Sequence, residues 1–162
     1  MTFARRLLAA LSLAAAALLP PAARAIDDQT VTTSEDPEMA AATAQARATL
    51  DDFLALHDNP RAGTGAYRLK VRFAAPGNVT EHMWVTAFHA TPEGFEGELA
   101  DEPEYATDVK NGQTVRFSRD RISDWGYVDN GHQKGSFTVC VLFKRMPAAE
   151  VKQYREQYGF DC

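Results

Sequence analysis

The chain has little cysteine, no long apolar run after residue 19, and no surplus of positive charge. Its 162 residues include 2 cysteines, and 22 acidic residues outnumber 17 basic ones. A general nucleic-acid binder needs a net basic face, so that class is excluded. No later segment approaches the roughly 20 apolar residues that a membrane-spanning helix needs. The hydrophobic and charged fractions, 45% and 24%, are those of an ordinary globular protein.

The first 25 residues have the features of an export signal. Arg5 and Arg6 form a positive start, residues 7–19 are apolar except for one serine, and Ala23-Arg24-Ala25 fits an A-x-A cleavage site. We therefore expect a Sec-type signal peptide, cleaved after residue 25, and a periplasmic or secreted protein. Cleavage removes three of the 17 basic residues, which leaves 14 against 22 acidic ones and a net charge of −8.

The two cysteines, Cys140 and Cys162, predict one disulfide, since an even number in an exported chain favours pairing. The bridge would pin the last residue, and a ring of about 23 residues corresponds to roughly 3 kcal/mol of stabilisation. The alternative is two unpaired thiols, the first buried in a strand. There is no C-x-x-C motif and no cluster of histidines, so we predict no metal site and no cofactor.

The mature chain begins with a polar segment, residues 26–35, which we interpret as a flexible leader. A single domain is then expected over residues 36–162. Asp36 and Pro37 have the pattern of a helix N-cap and first position. Apolar residues at steps of three and four predict one helix to about His57, and these are Met39, Ala42, Ala46, Leu50, Phe53 and Leu54.

After Gly63 the hydrophobic period changes to two. Residues 67–73 alternate between an apolar face and a basic face, Arg68, Lys70 and Arg72, which could bind phosphate or pair with acidic residues. Further strands are predicted over 81–89, 95–100 and 114–117, followed by a hairpin of 125–128 with 132–143 and a bulge at Gly135. Pro147 begins a last helix of about 11 residues that ends at Gly159. The predicted fold is α+β: a small curled antiparallel sheet or partly open barrel of five to six strands, flanked by an N-terminal and a C-terminal helix.

Residues 69–142 resemble DUF2314, the YegJ-like bacterial family of unknown function. The motifs that carry the resemblance are Glu81-His82-Met83-Trp84-Val85, Gly94-Phe95-Glu96-Gly97-Glu98-Leu99, Gly112-Gln113-Thr114-Val115-Arg116-Phe117, Ile122-Ser123-Asp124-Trp125-Gly126-Tyr127 and Gly135-Ser136-Phe137-Thr138. The resemblance implies a small α+β domain with a family-like core at about 66–145. It implies no activity, so it transfers no catalytic residue. Members often carry Arg near position 140, where this chain has Cys.

Trp84, Trp125 and Tyr127 are the best candidates for a binding surface, with His82 beside them. Large rings with one polar atom suit half-wet grooves and binding hot spots. In a small sheet domain, however, such residues are more often core. By alternation, His82 should share a face with Trp84 and Phe88, and it should point away from His89, so that the two histidines cannot share a metal.

Asp124 and His82 are weak catalytic candidates. A carboxylate could orient His82 or His132 for hydrolysis, but Asp at a strand entry more often accepts backbone N–H bonds. Ser123 and Ser136 lack the G-x-S-x-G elbow of serine hydrolases. Residues 93–108, with seven acidic residues and no basic one, are expected to form a solvated loop.

The sequence therefore favours a non-enzymatic binding or structural module of the periplasm that uses an aromatic sheet face. Its partner would be an unknown protein, peptide or small ligand. A hydrolase using Asp124 with His82 or His132 is the alternative, and an immunity-type inhibitor of a secreted toxin is a further one.

Overall fold

The computed structural model describes residues 30–32 and 36–162. The predicted export signal and the rest of the leader lie outside the described residues. The strands and helices, in chain order, are β1 (Thr30–Thr32), α1 (Pro37–Ala48), α2 (Leu50–Asp58), β2 (Thr64–Ala75), β3 (Val79–Thr91), β4 (Gly94–Leu99), β5 (Thr114–Phe117), β6 (Ile122–Asp129), β7 (His132–Gly135), α3 (Phe137–Phe143) and α4 (Ala148–Tyr158). Residues 30–32 belong to the predicted flexible leader and form β1 instead.

The strands form one antiparallel sheet in the order β5-β4-β3-β2-β6-β7. β3 is the long central strand: its whole first half pairs with β2, and its second half pairs with β4. β1 pairs with Thr80 to His82 on the edge of β3 that β4 leaves open. The sheet is not closed into a barrel, and helices lie against it, so the predicted α+β class is confirmed.

The N-terminal helix begins as predicted and then breaks. The Asp36 carboxylate accepts hydrogen bonds from the backbone N–H groups of Glu38 and Met39, and Pro37 occupies the first helical position. At Thr49 the backbone leaves the helical region (φ −111°, ψ 8°), so the single predicted helix becomes α1 and α2. The predicted apolar stripe survives the break, because Ala46, Leu50 and Phe53 are all buried.

The strand predicted over 132–143 is wrong beyond Gly135. Gly135 (φ 73°) and Ser136 (φ 53°) both lie in the left-handed region, and two such residues in a row turn the chain out of the sheet. They end β7, and the apolar residues that follow form α3 rather than the remainder of a strand. Gly135 is therefore the end of a strand and not a bulge. Short apolar runs fit either structure by periodicity alone.

The C-terminal region matches the prediction closely. Pro147 precedes α4, whose 11 residues end at Gly159 in the left-handed conformation (φ 74°). A disulfide joins Cys140 on α3 to Cys162, with their Cα atoms 5.5 Å apart. None of the helices within the described part of the chain combines the length and apolar character required to cross a bilayer.

The two faces of the sheet are buried in different ways. One, which we call the apolar face, packs Leu69, Val71 and Met83 against α1 and α2. The other, the polar face, carries Trp84 under α3 and α4, where Val139, Phe143, Val151 and Phe160 cover it.

Candidate functional site

A bulge in β6 brings the chemically reactive side chains together on the polar face. Lys70 on β2 opposes Asp124 on β6, but the next residue of β2, Val71, opposes Ile122. Ser123 is therefore an extra residue in β6 with no partner position on β2. A bulge of this kind re-aims a side chain. As a result Ser123 reaches the polar face, where its Oγ lies 2.9 Å from Nδ1 of His82.

His82 is held in its neutral form by its surroundings. Burial lowers its pKa to about 4, and the positive charges of Lys70, Arg72 and Arg47 lower the pKa in the same direction. Its hydrogen-bond partner Ser123 is fully buried, and the Ser123 hydroxyl also lies 3.2 Å from the carbonyl oxygen of Lys70. The neutral His82 imidazole therefore shares the proton of a hydrogen bond with the Ser123 hydroxyl, and this contact is not an ion pair.

Asp124 caps α3 from a neighbouring strand. Its carboxylate accepts hydrogen bonds from the backbone N–H groups of Trp125, Phe137 and Thr138 and from the Thr138 hydroxyl, at 2.7 to 3.2 Å. Ser136, the residue at the N-cap position, makes no such side-chain bond. Complete burial raises the Asp124 pKa, while the Thr138 bonds and the charge of Lys70 oppose that shift.

The predicted Asp–His pairs are replaced by other partners. His82 bonds to Ser123, and His132 lies 3.2 Å from Asp161 at the surface. Asp124 faces the start of α3 instead of an imidazole. Asp124 therefore accepts backbone N–H bonds, which is the structural role expected as the alternative for an Asp at a strand entry.

Trp84 lies beneath two cations at the centre of the polar face. The Arg68 guanidinium carbon is 4.4 Å from the ring centroid and the Lys70 Nζ is 5.2 Å from it, both within the range of cation–π attraction. Lys70 is 0% exposed and Trp84 is 4% exposed. The basic strand face predicted from the alternation exists, but α3 and α4 cover much of it.

Trp84 and Trp125 do not share a surface. Trp125 lies on the apolar face, 8% exposed, with its indole N–H donating to the carbonyl of Ala46. Tyr127 is half-buried on the same face, with its ring stacked 5.6 Å from that of Tyr67. The binding role of these rings stays a prediction, and Trp84 is the ring that lies beside His82 and the cations.

A second bulge corrects the expected positions of Phe88 and His89. Ala87 has a positive φ of 46°, and the β3–β4 register shifts between Thr86 and His89. Phe88 therefore packs with Met83 on the apolar face, instead of sharing the face of His82. The same shift returns His89 to the His82 side, so the expectation of opposite faces is wrong. Within residues 30–32 and 36–162, no group of three or more His, Cys, Asp or Glu side chains is arranged to hold a metal ion.

Two buried carboxylates organise the acidic segment and were not singled out from the sequence. Glu81 accepts the backbone N–H groups of residues 104–106 at 2.7 to 3.0 Å. Asp101 accepts the backbone N–H of Trp84 at 2.6 Å, at the point on β3 between the segments paired with β1 and β4. The loop is therefore partly buried at Asp101, contrary to the expectation of a fully solvated segment. The available signal was an acidic residue, Glu81, close to the apolar run Met83-Trp84-Val85.

An open antiparallel sheet with helices packed on it and a buried polar cluster defines a small α+β domain. The chain belongs to the family of uncharacterised proteins conserved in bacteria, DUF2314, whose model matches residues 36–162. The resemblance seen in the sequence is thus confirmed.

Two relatives match the chain over different lengths. The chain is 28% identical over 131 residues to the uncharacterised protein YegJ of Escherichia coli K12, covering 80% of this chain and 84% of that protein. It is 33% identical over 85 residues to a Neisseria meningitidis serogroup B protein that carries the name of an ankyrin repeat protein, covering 52% of this chain and 34% of that protein. The matched region thus spans about a third of the Neisseria protein. No solved structure matches the chain significantly.

Proposed function

We propose that this protein is a non-enzymatic binding module of the bacterial cell envelope, and that the Trp84 side of the sheet is its binding surface. The observation that carries the proposal is the bonding of Asp124. All the hydrogen bonds described for its carboxylate come from the start of α3 and from Trp125, so this carboxylate acts as a structural cap. Aromatic rings flanked by arginine are typical of binding hot spots, and Trp84 with Arg68 has that composition.

The envelope location is supported by the export signal predicted at the N-terminus and by the Cys140–Cys162 disulfide. Disulfides persist in oxidising compartments and are rare in the cytosol. Cell fractionation of the tagged full-length protein, with the mature N-terminus read by mass spectrometry, tests the location. Recovery of the uncleaved chain from the cytosol would contradict it.

The binding role is tested by photo-crosslinking in living cells. A photoreactive residue at Gln133, which lies on β7 on the side of Arg68 and accepts a hydrogen bond from it at 3.3 Å, is expected to give a discrete adduct that excess untagged protein removes. The matched control is Arg116 on β5, at the opposite end of the sheet order and 79% exposed in its side chain. A single secreted protein in the adduct would be the special case of an immunity-type inhibitor.

The hydrolase alternative is tested separately with His82→Gln. The purified variant is expected to match the parent against ester, amide and phosphoester substrates, because neither protein should turn them over. Hydrolysis by the parent that is lost in a folded His82→Gln variant would establish an enzyme and overturn the proposal.

A further inference from the structure

The last 16 residues close the polar face, and we call residues 147–162 the lid. Two of its side chains are buried, Val151 and Phe160, and both pack in the cluster around Trp84. The rest of the lid is exposed or half-buried. An isolated helix of 11 residues, the length of α4, is marginal in water. The lid therefore stays helical and in place only because of its contacts with the rest of the domain.

Apart from the disulfide and the packing of its apolar side chains around Trp84 and Phe143, the attachments of the lid are polar and lie near the surface. The carbonyl of Gly159 accepts the backbone N–H of Gln133 at 2.9 Å. The Asp161 carboxylate lies 3.2 Å from His132 and 3.6 Å from Lys134, and all three side chains are between 43% and 59% exposed. Exposed ion pairs contribute little to stability.

The disulfide is the covalent attachment of the lid, and it is open to solvent. It joins Cys140, which is half-buried on α3, to the exposed residue Cys162. Since exposed disulfides are the ones that thiols reach and exchange with, a dithiol in solution can attack this bond without prior unfolding of the sheet.

We propose that the lid is a redox-controlled cover over the Trp84 surface: the disulfide holds it shut, and reduction releases it. One dithiol reductant gives up two electrons and two protons and becomes a disulfide. The sulfurs of Cys140 and Cys162 each receive one electron and one proton and become thiols. The released lid uncovers the part of Trp84 that Val151 and Phe160 cover. This inference rests on the proposed binding function and adds its regulation.

The lid also indicates what chemistry the uncovered surface accepts. Its aromatic ring Phe160 packs in the Trp84 cluster, edge-on to Phe143, and is followed directly by a carboxylate, Asp161, that pairs with His132 and Lys134. A partner that replaces the lid would carry the same pair, an aromatic side chain next to an acidic one in an extended peptide segment.

Tryptophan fluorescence measures the opening, because the chain has 2 tryptophans. In Trp125→Phe the signal comes from Trp84, and acrylamide quenching is expected to increase several-fold when dithiothreitol reduces the disulfide. In the matched variant Trp84→Phe the signal comes from Trp125 on the apolar face, and quenching should not change. Circular dichroism in both redox states separates opening from unfolding. Equal shielding of Trp84 in oxidised and fully reduced folded protein would overturn the proposal.

A peptide with the sequence of residues 148–161 tests the uncovered surface. The full-length double variant Phe160→Ala with Cys162→Ser has a weakened lid, so it is expected to bind the fluorescent peptide several-fold more tightly than the oxidised parent. A peptide with Phe160 replaced by Ala is the control and should lose that gain. Equal binding of both peptides to both proteins would overturn the predicted partner chemistry. These readouts need no cellular partner, so they fail independently of the crosslinking that tests the binding function.

Discussion

The two faces of the sheet are both buried, yet they are built on opposite principles. The apolar face packs Leu69, Met83 and Phe53 in the way that hydrophobic periodicity predicts. The polar face buries Lys70 and Asp124 completely, and each residue stays there only because other groups compensate its desolvation. The first face is held mainly by shape and volume, with the hydrogen-bonded Glu81 at its end. The second combines the apolar cluster around Trp84 with named hydrogen bonds.

This difference determines how each face tolerates change. An apolar core accepts substitutions that conserve volume at a cost below about 1.5 kcal/mol. A buried polar network fails when one member is removed, because the remaining donors lose their partner and stay buried. The polar face should therefore be sensitive to the identity of its atoms, whereas the apolar face should be sensitive mainly to their volume.

The largest effect is expected for Asp124→Ala. It leaves three backbone N–H groups, the Thr138 hydroxyl and the charge of Lys70 without their carboxylate, and removal of one partner from a buried charged network costs about 3–5 kcal/mol. Urea unfolding at neutral pH measures the loss. Asp51→Ala is the matched control, because Asp51 pairs with Arg119 at the surface and is 85% exposed. A loss of unfolding free energy no greater than that of Asp51→Ala would show that the Asp124 cap does not stabilise the fold.

Volume-conserving variants sharpen the same contrast. Asp124→Asn keeps the shape of the side chain but replaces one carboxylate oxygen with an NH2 group. This donor then faces the N–H groups whose hydrogen bonds the Asp124 carboxylate accepts. Leu69→Met on the apolar face keeps the volume and should cost less than about 1.5 kcal/mol. If Asp124→Asn costs no more unfolding free energy than Leu69→Met, the two faces do not differ in their sensitivity to the identity of their atoms.

The next effect concerns the disulfide, which joins the lid to α3. Cys162→Ser is expected to reduce the free energy of unfolding by about 3 kcal/mol on the chain-entropy estimate for a ring of this size. Amide exchange should rise first in α4 and leave the amides of β2 and β3 protected, because the lid opens locally. Uniform acceleration of exchange across the sheet would show that the disulfide supports the whole domain instead.

Much of the fold was predictable, because its signals are local. Asp36 with Pro37 marks the start of α1, Gly159 marks the end of α4, and the alternation of residues 67–73 marks β2. These patterns depend on residues within a few positions along the chain, so they do not depend on the tertiary structure.

The candidate site was only partly predictable, since it depends on irregularities in the strands. The bulges at Ser123 and Ala87 each add one residue, and because side chains alternate along a strand, each reverses the face of every later residue. Alternation thus placed Phe88 on the wrong side. The left-handed pair Gly135 and Ser136 ended the last predicted strand, and α3 follows it. No local signal showed that helices would cover Lys70.

A comparable effect is expected from pH at His82 on the polar face. The folded pKa of His82 is about 4 against an ordinary value of 6.5, so between those pH values the unfolded chain binds a proton that the folded chain does not. Stability should therefore fall as pH drops from 6.5 to 4, by about 3 kcal/mol at 1.36 kcal/mol per unit. Unfolding measured across this range in His82→Gln should lose that slope, while His132→Gln, at an exposed histidine, should keep it. An unchanged slope in His82→Gln would assign the pH dependence to other groups.

The smallest effect tests whether burial or charge makes the polar face sensitive. By strand register, Glu96 lies opposite both His89 and Arg116, on the same side of the sheet as His82. Arg116 pairs with Glu96 at 2.6 Å, but its side chain is 79% exposed. Arg116→Ala should therefore cost little, as exposed ion pairs do, and added salt should reduce even that. A loss comparable to that of Asp124→Ala would mean that charge alone, without desolvation, makes this side of the sheet fragile.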